Sequence, residues 1–299
     1  MHQQPLVILT YPGHFLLTAL TIKSFLLYNS SVRIIIIVDD LSRYSWPEYV
    51  AQCEKFYKTL ANNVSVVAVS YLPEAHAYNQ PNSGWVRQQI VKLHLDKLIA
   101  DTVWFFTDGD VQYHFPALLD SVPYVITRNK DDIQARQNFY VAKMLDISNP
   151  GIVAQHPHMN WASDCRAQVC VSNPPFRSMQ ADTLKKLRQH LQELRGHTVL
   201  QSHTWLYNTF TSASNGDAPF IESEWELIEN FRVHVLKQDI NLVYYPVLPL
   251  SLSGSYNTQN LEFCVTCYVS DRSLGKSWFE QQDIFVPAQI WQQLEQINK

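Results

Sequence analysis

Residues 103–116 read "VWFFTDGDVQYHFP", an apolar run that stops on two carboxylates, Asp108 and Asp110, with Gly109 between them. Its first part, "VWFFT", has the composition of a strand covered on both faces. Carboxylates at the edge of a core cost roughly several kcal/mol unless they are solvated, paired or bound to a cation. Once the chain leaves the strand, side chains one residue apart can face the same divalent ion. Gly109 is expected to let the backbone turn tightly and to let a ligand come close. Hard oxygen ligands of this kind suit Mg²⁺ or Mn²⁺ that also holds a diphosphate, whose leaving charge the ion neutralises. Asp-Gly-Asp is also an ordinary turn sequence. Position favours the ion here, because the motif follows a strand that lies four strands into a regular alternation.

That alternation begins at "LVILT", which ends on Thr10, and continues through the helical pattern "HFLLTALTIKSFLLYN" to "VRIIIIVDD", a strand so aliphatic that both its faces must be buried. Pro47 opens a helical stretch through Leu60, "VSVVAV" makes a third strand, and "GWVRQQIVKLHLDKLIA" is a helix leading into "VWFFT". Strands joined by crossover helices predict an α/β fold with an open, mainly parallel sheet flanked by helices, in which ligands sit outside the carboxyl ends of the strands. Asp39 and Asp40 lie at one such end and are expected to bond a nucleotide base or ribose at the switch point; a capping turn is the plainer alternative.

Beyond Pro116 the pattern is less regular and reads as α+β. Strands are expected at "PYVITR", "QVCVS", "FRVHVL" and "NLVYYPVL". A helix carries Leu184, Leu187, Leu191 and Leu194 on one face and is stopped by Gly196. A final helix follows Pro287, with Ile290, Leu294 and Ile297 on one side. No repeat or linker appears, so residues 1–299 are taken as one domain: a ligand-binding half (1–116), a second half (117–260) and a C-terminal segment (261–299).

At 46% hydrophobic and 17% charged, the chain can build a sizeable core. Its formal charge of -4 and scattered basic residues offer no polycationic stripe, which argues against nucleic acid as a partner. Five cysteines, an odd number in a long chain, fit free thiols in a reducing compartment, so a cytoplasmic location is expected. The uncharged N-terminal stretch lacks a basic start and is broken by Pro5 and by Pro12-Gly13, so it reads as core strand and helix; no transmembrane segment is expected, and peripheral membrane association stays open.

Three motifs in this order, Gly84-Trp85 with Arg87-Gln88-Gln89 and Lys92-Leu93, then Asp108-Gly109-Asp110, then Ser223-Glu224-Trp225-Glu226-Leu227, resemble the glycosyltransferases of the GT-A fold, and within them a largely uncharacterised bacterial group. The resemblance covers most of the chain. A departure is that Ser or Ala often stands between the aspartates in such proteins. The resemblance implies a Rossmann-like sheet in which 1–116 binds the nucleotide and 117–260 the acceptor. It implies a UDP- or GDP-linked nucleotide-sugar donor, a carbohydrate or glycan acceptor and a bound Mn²⁺ or Mg²⁺. It also implies a role in surface glycan or polysaccharide synthesis.

Residue by residue, Asp110 is expected on the metal, with Asp108 on the metal or the ribose. A late histidine often completes such a metal site, which points to His234; a structural histidine in a strand is the commoner case. Trp85, Gln88, Gln89 and Lys92 recur at three and four, giving a polar helix face that could meet the donor sugar or diphosphate through Gln88 and Lys92, with Arg87 a further phosphate partner, though such residues are more often merely solvated. In "ESEWELIEN" the carboxylates suit a helix start, and the resemblance assigns Glu224, with Glu226 next, as general base on the acceptor hydroxyl in an inverting mechanism. His156, His158, Asn160, Trp161 and Asp164 could line an acceptor site. Cys264 and Cys267 make a single Cys-x-x-Cys without a second pair. An aspartyl phosphatase would place its pair near the N-terminus, and a sugar nucleotidyltransferase needs a Gly-rich loop that "TYPGHFLL" does not supply. A non-catalytic carbohydrate- or nucleotide-binding protein of the same fold is the remaining alternative.

Overall fold

The aliphatic runs form the centre of a parallel sheet. In the computed structural model, β1 (Leu6–Thr10), β2 (Ile34–Val38), β3 (Val64–Ala68) and β4 (Val103–Asp108) lie in the order β3-β2-β1-β4. Every residue of β1 and β2 is buried, as their composition requires. The register sets Leu6 against Ile34 and Thr10 against Val38 on one side of β1, and Leu9 against Asp108 on the other.

The structure describes residues 4–77, 84–114, 122–126, 141, 144–148, 169–170, 176–214, 224–240, 242–244, 247–248, 265–267 and 274–296. Contacts divide the chain into two units: Met1–Tyr71 with Val103–Leu119 and Pro246–Lys299, and Leu72–Thr102 with Asp120–Tyr245.

In the first unit, α1 (Phe15–Leu26) and α2 (Tyr49–Lys58) provide the crossovers from β1 to β2 and from β2 to β3. The Phe15 ring is fully buried among Trp46, Tyr49, Phe56 and Tyr57, and the Tyr57 hydroxyl donates to the Phe15 carbonyl at 2.9 Å. Burying a ring of this size stabilises by about 1.5–3 kcal/mol. A second ladder joins β5 (Val111–Tyr113), β11 (Val265–Cys267) and β10 (Val247–Leu248). The unit also holds α8 (Lys276–Gln281) and α9 (Ala288–Gln296), the latter burying Ile290 and Leu294 as expected.

The second unit contains α3 (Pro73–His76), α4 (Gly84–Lys92), β8 (Phe176–Gln180), α5 (Ala181–Arg195), α6 (Val199–Ser214) and α7 (Glu224–Asn230). It also has the ladder of β6 (Val122–Ile126) with β7 (Val169–Cys170) and β9 (Leu242–Tyr244). Leu184, Leu187 and Leu191 are buried, Leu194 is exposed, and Gly196 ends α5 with φ of 60°.

Several expectations are corrected. "FRVHVL" is not a strand: Phe231–Val235 continues α7 as a π-helical turn, closed by the Leu236 amide on the Phe231 carbonyl at 3.0 Å. Its alternation of apolar and polar residues imitates a strand, but the chain arrives already helical. The helix expected from Gly84 through Ala100 stops at Lys92, and a 3-10 turn follows at Leu95–Lys97. "NLVYYPVL" supplies two short strands, β9 and β10, that pair in different ladders. The helix α6 and the strand β8 were not expected, since neither carries a clean period.

Candidate functional site

The chain lays β1, β2 and β3 outward in sequence and then returns to the other side of β1 as β4. The strand order therefore reverses between β1 and β4, the point beyond whose carboxyl ends open α/β sheets generally take their ligands. Thr10 and Asp108 flank that reversal, and Asp110 follows in the turn. Asp39 and Asp40 stand one strand away, at the end of β2. Asp39 is buried, and its amide donates to the Thr10 carbonyl at 2.8 Å. Asp40 is partly exposed and accepts the Ser70 amide at 2.9 Å, which ties the end of β2 to the turn after β3. Asp108 and Asp110 are both partly exposed.

The Asp-Gly-Asp turn is held from beneath by α1. Thr18, Thr21 and Ser24, three residues apart, present hydroxyls along one helix face. Thr18 Oγ1 donates to the Gly109 carbonyl at 3.3 Å, while the Val111 amide donates to Thr21 Oγ1 at 3.1 Å and the Tyr113 amide to Ser24 Oγ at 3.0 Å. The apolar period of α1 hides these three residues; hydroxyls at helical spacing inside an otherwise apolar helix are the signal the sequence offers. They also change the reason for Gly109. Its φ is not positive, and a Cβ there would stand 2.6 Å from Thr18 Oγ1, 3.1 Å from the Leu9 carbonyl oxygen and 3.2 Å from Thr10 Cβ. Glycine is required because the turn packs directly onto β1 and α1.

The second unit joins two motifs that lie far apart in sequence. Gln89 and Lys92, on one face of α4, meet the start of α7. The Glu224 amide donates to Gln89 Oε1 at 3.3 Å, Lys92 Nζ sits 2.8 Å from Glu224 Oε1, and the same ammonium lies 5.0 Å from the Trp225 ring centroid. The Arg177 guanidinium, fully buried, covers Trp225 at 4.1 Å and approaches Glu229 at 4.0 Å, and Arg232 bonds Glu229 at 3.0 Å. Glu226 Oε2 accepts from Asn230 Nδ2 at 3.3 Å. All seven residues of α7 are buried, and so are Arg87, Gln89 and Lys92. The α4 face expected to meet a donor, or else to be solvated, thus packs partly against α7 through Gln89 and Lys92, because a charge that loses water needs a partner and Glu224 supplies it. Gln88 remains partly exposed.

His234 lies in the π-helical turn of the second unit, partly exposed. His156, His158, Asn160, Trp161, Asp164 and Cys264 fall outside the described residues. Cys53 is a free cysteine, and it is buried. Among those residues no helix is long and apolar enough to cross a membrane.

No protein-family model matches the chain, and no curated protein matches it. Solved structures do. The chain is similar to the galactosyltransferase LgtC in complex with donor and acceptor sugar analogues, at 12% identity and a TM-score of 0.48 over 97% of this chain and 100% of that one. The bifunctional glycosyltransferase WbbM is similar at 11% identity and a TM-score of 0.47, over 98% of this chain and 51% of that one. Mouse xyloside xylosyltransferase 1 is similar at 9% identity and 0.42, over 89% and 97% of the two chains.

Proposed function

We propose that the chain is a GT-A-type glycosyltransferase that moves a sugar from a UDP- or GDP-linked donor to a hydroxyl of a carbohydrate or glycan acceptor. The observation that carries this is the placement of Asp108-Gly109-Asp110 at the reversal of strand order, beside Thr10 and one strand from Asp39 and Asp40. Ligands of open α/β sheets bind at that point. Partly exposed carboxylates on a loop that α1 holds in place fit Mg²⁺ or Mn²⁺, which take one or two carboxylates and fill the remaining positions with phosphate oxygens and water. When bound, the ion would neutralise charge on the departing nucleoside diphosphate.

In this proposal Asp110 holds the ion, Asp108 supports it or meets the ribose, and Thr10, Asp39 and Asp40 bound the nucleotide. Arg87, Gln88 and Lys92 are the donor-side candidates from α4, of which Gln88 is partly exposed and the Lys92 ammonium is paired with Glu224. His234 stays a candidate third ligand. Glu224, with Glu226 second, is the proposed base of an inverting reaction, and such a role requires the Lys92 ion pair to open when the acceptor arrives. Transfer would take place in the cytoplasm during surface glycan or polysaccharide synthesis.

The test is a thermal-shift and product assay with nucleotide-sugars and Mn²⁺. A donor at a hundred times its Kd adds about 2.7 kcal/mol to stability. Asp110→Asn should abolish the Mn²⁺-dependent part of that shift and the release of nucleoside diphosphate, while the ligand-free melting curve stays near the parent's. If the variant binds donor and Mn²⁺ as the parent does, the metal assignment is wrong. Binding without release in the parent would favour a non-catalytic relative.

A further inference from the structure

We propose that Glu74, His94 and His203 form a second metal site, built for a transition-metal ion such as Zn²⁺ and lying wholly within the second unit. Glu74 is in the first turn of α3, His94 follows α4, and His203 is in α6. One ligand atom from each lies within 4.8 Å of the others, and His203 Nε2 is 3.9 Å from Glu74 Oε1.

The decisive residue is His94, which has no solvent exposure. Its Nδ1 is 2.8 Å from the Ile90 carbonyl, an acceptor, so Nδ1 carries the proton and Nε2 presents a lone pair. That Nε2 is buried without a hydrogen-bond partner. A ring held through Nδ1–H on a backbone carbonyl, its Nε2 buried without a partner and the residue grouped with Glu74 and His203, has the outer support that metal-binding histidines carry. Burial, helped by the Arg188 guanidinium, keeps the ring in the neutral form that can donate to a metal. The His94 and His203 rings stack with centroids 5.0 Å apart. Glu74 Oε2 is also buried without a partner, while Oε1 is bonded by Lys97. Arg188, the other nearby cation, is neutralised by Asp96 through paired bonds of 2.6 and 2.7 Å.

Two imidazole nitrogens and one carboxylate oxygen are a donor set that Zn²⁺ takes, with a fourth position left for water or another ligand. Arms of about 2.0–2.1 Å put tetrahedral ligands roughly 3.3 Å apart, so no pair has to close by more than about 1.5 Å, shared between two side chains. Mg²⁺ and Mn²⁺ prefer all-oxygen sites, so this site and Asp108-Asp110 should load independently. A filled site would fasten α3 and α6 to the end of α4.

The experiment uses the full chain, free of affinity tags and stripped of metal. Zn²⁺ binding is measured by equilibrium dialysis with elemental analysis, and Co²⁺ substitution by visible absorption. The expected result is one equivalent of Zn²⁺ and an intense tetrahedral Co²⁺ band. His203→Ala and Glu74→Gln should each weaken binding at least about tenfold, since even outer partners of ligands are worth 10- to 100-fold. Asp110→Asn should leave Zn²⁺ binding unchanged. His94 packs too tightly for a variant there to be relied on to fold, so circular dichroism and metal-free melting are used to qualify the other two variants. Absence of stoichiometric Zn²⁺ in the parent, or binding that persists unchanged in both His203→Ala and Glu74→Gln, overturns the proposal.

Discussion

Replacing Gly109 by alanine tests how the Asp-Gly-Asp turn is built. The new Cβ would sit 2.6 Å from Thr18 Oγ1, where an unstrained contact needs about 3.5 Å, so roughly 0.9 Å must be found. Thr18 cannot swing away freely, because its hydroxyl lies 2.6 Å from Thr10 Oγ1 and 2.7 Å from the His14 carbonyl it bonds. The Leu9 carbonyl, at 3.1 Å, belongs to a central strand. Overpacking of this kind costs about 1–3 kcal/mol. Because the roughly 0.9 Å shortfall falls against atoms held on both sides, the cost lies in the upper half of that range, about 2–3 kcal/mol; alanine returns up to about 1 kcal/mol by restricting the unfolded chain, which leaves a net loss of about 1–3 kcal/mol. Thr18→Ala alone should cost about 1–2 kcal/mol through its lost hydrogen bonds. Because it also removes the clashing oxygen, the double variant should be more stable than the sum predicts by about 0.5–1 kcal/mol. Differential scanning fluorimetry of the parent, both single variants and the double variant reads this cycle. A Gly109→Ala protein within about 0.5 kcal/mol of the parent, or strict additivity, refutes the packing account.

Two further outcomes are expected. Lys92→Met and Glu224→Gln each strand a buried charge or its partner and should cost about 3–5 kcal/mol, while the double variant recovers much of that loss; equal melting of parent and single variants would show the pair to be idle. Burial pushes the Cys53 thiol well above its ordinary range, so Cys53 should resist alkylation near neutral pH in folded protein and react once denaturant is added, as peptide mass spectrometry would show; prompt labelling of native protein would contradict its burial.

The first hundred residues were legible because their periods are strong. "LVILT" and "IIIIV" can only be strands covered on both faces, and the helices between them dictate parallel neighbours. Asp108, Asp110, Asp39 and Asp40 were found at strand ends for the same reason: charge that interrupts an apolar run marks where the chain emerges. Three things were decided by tertiary structure alone. The reversal of strand order falls between β1 and β4, which depends on which side of β1 the fourth strand takes, and local pattern carries no trace of that choice. Gly109 answers to a hydroxyl ladder on α1, a contact across 91 positions of chain. When each is read with its own neighbours, Lys92 suits a donor contact or a solvated face, and Glu224 a general base or a helix start. They are a buried pair because folding removes water from both at once, and a charge without water takes whatever opposite charge the fold brings to it.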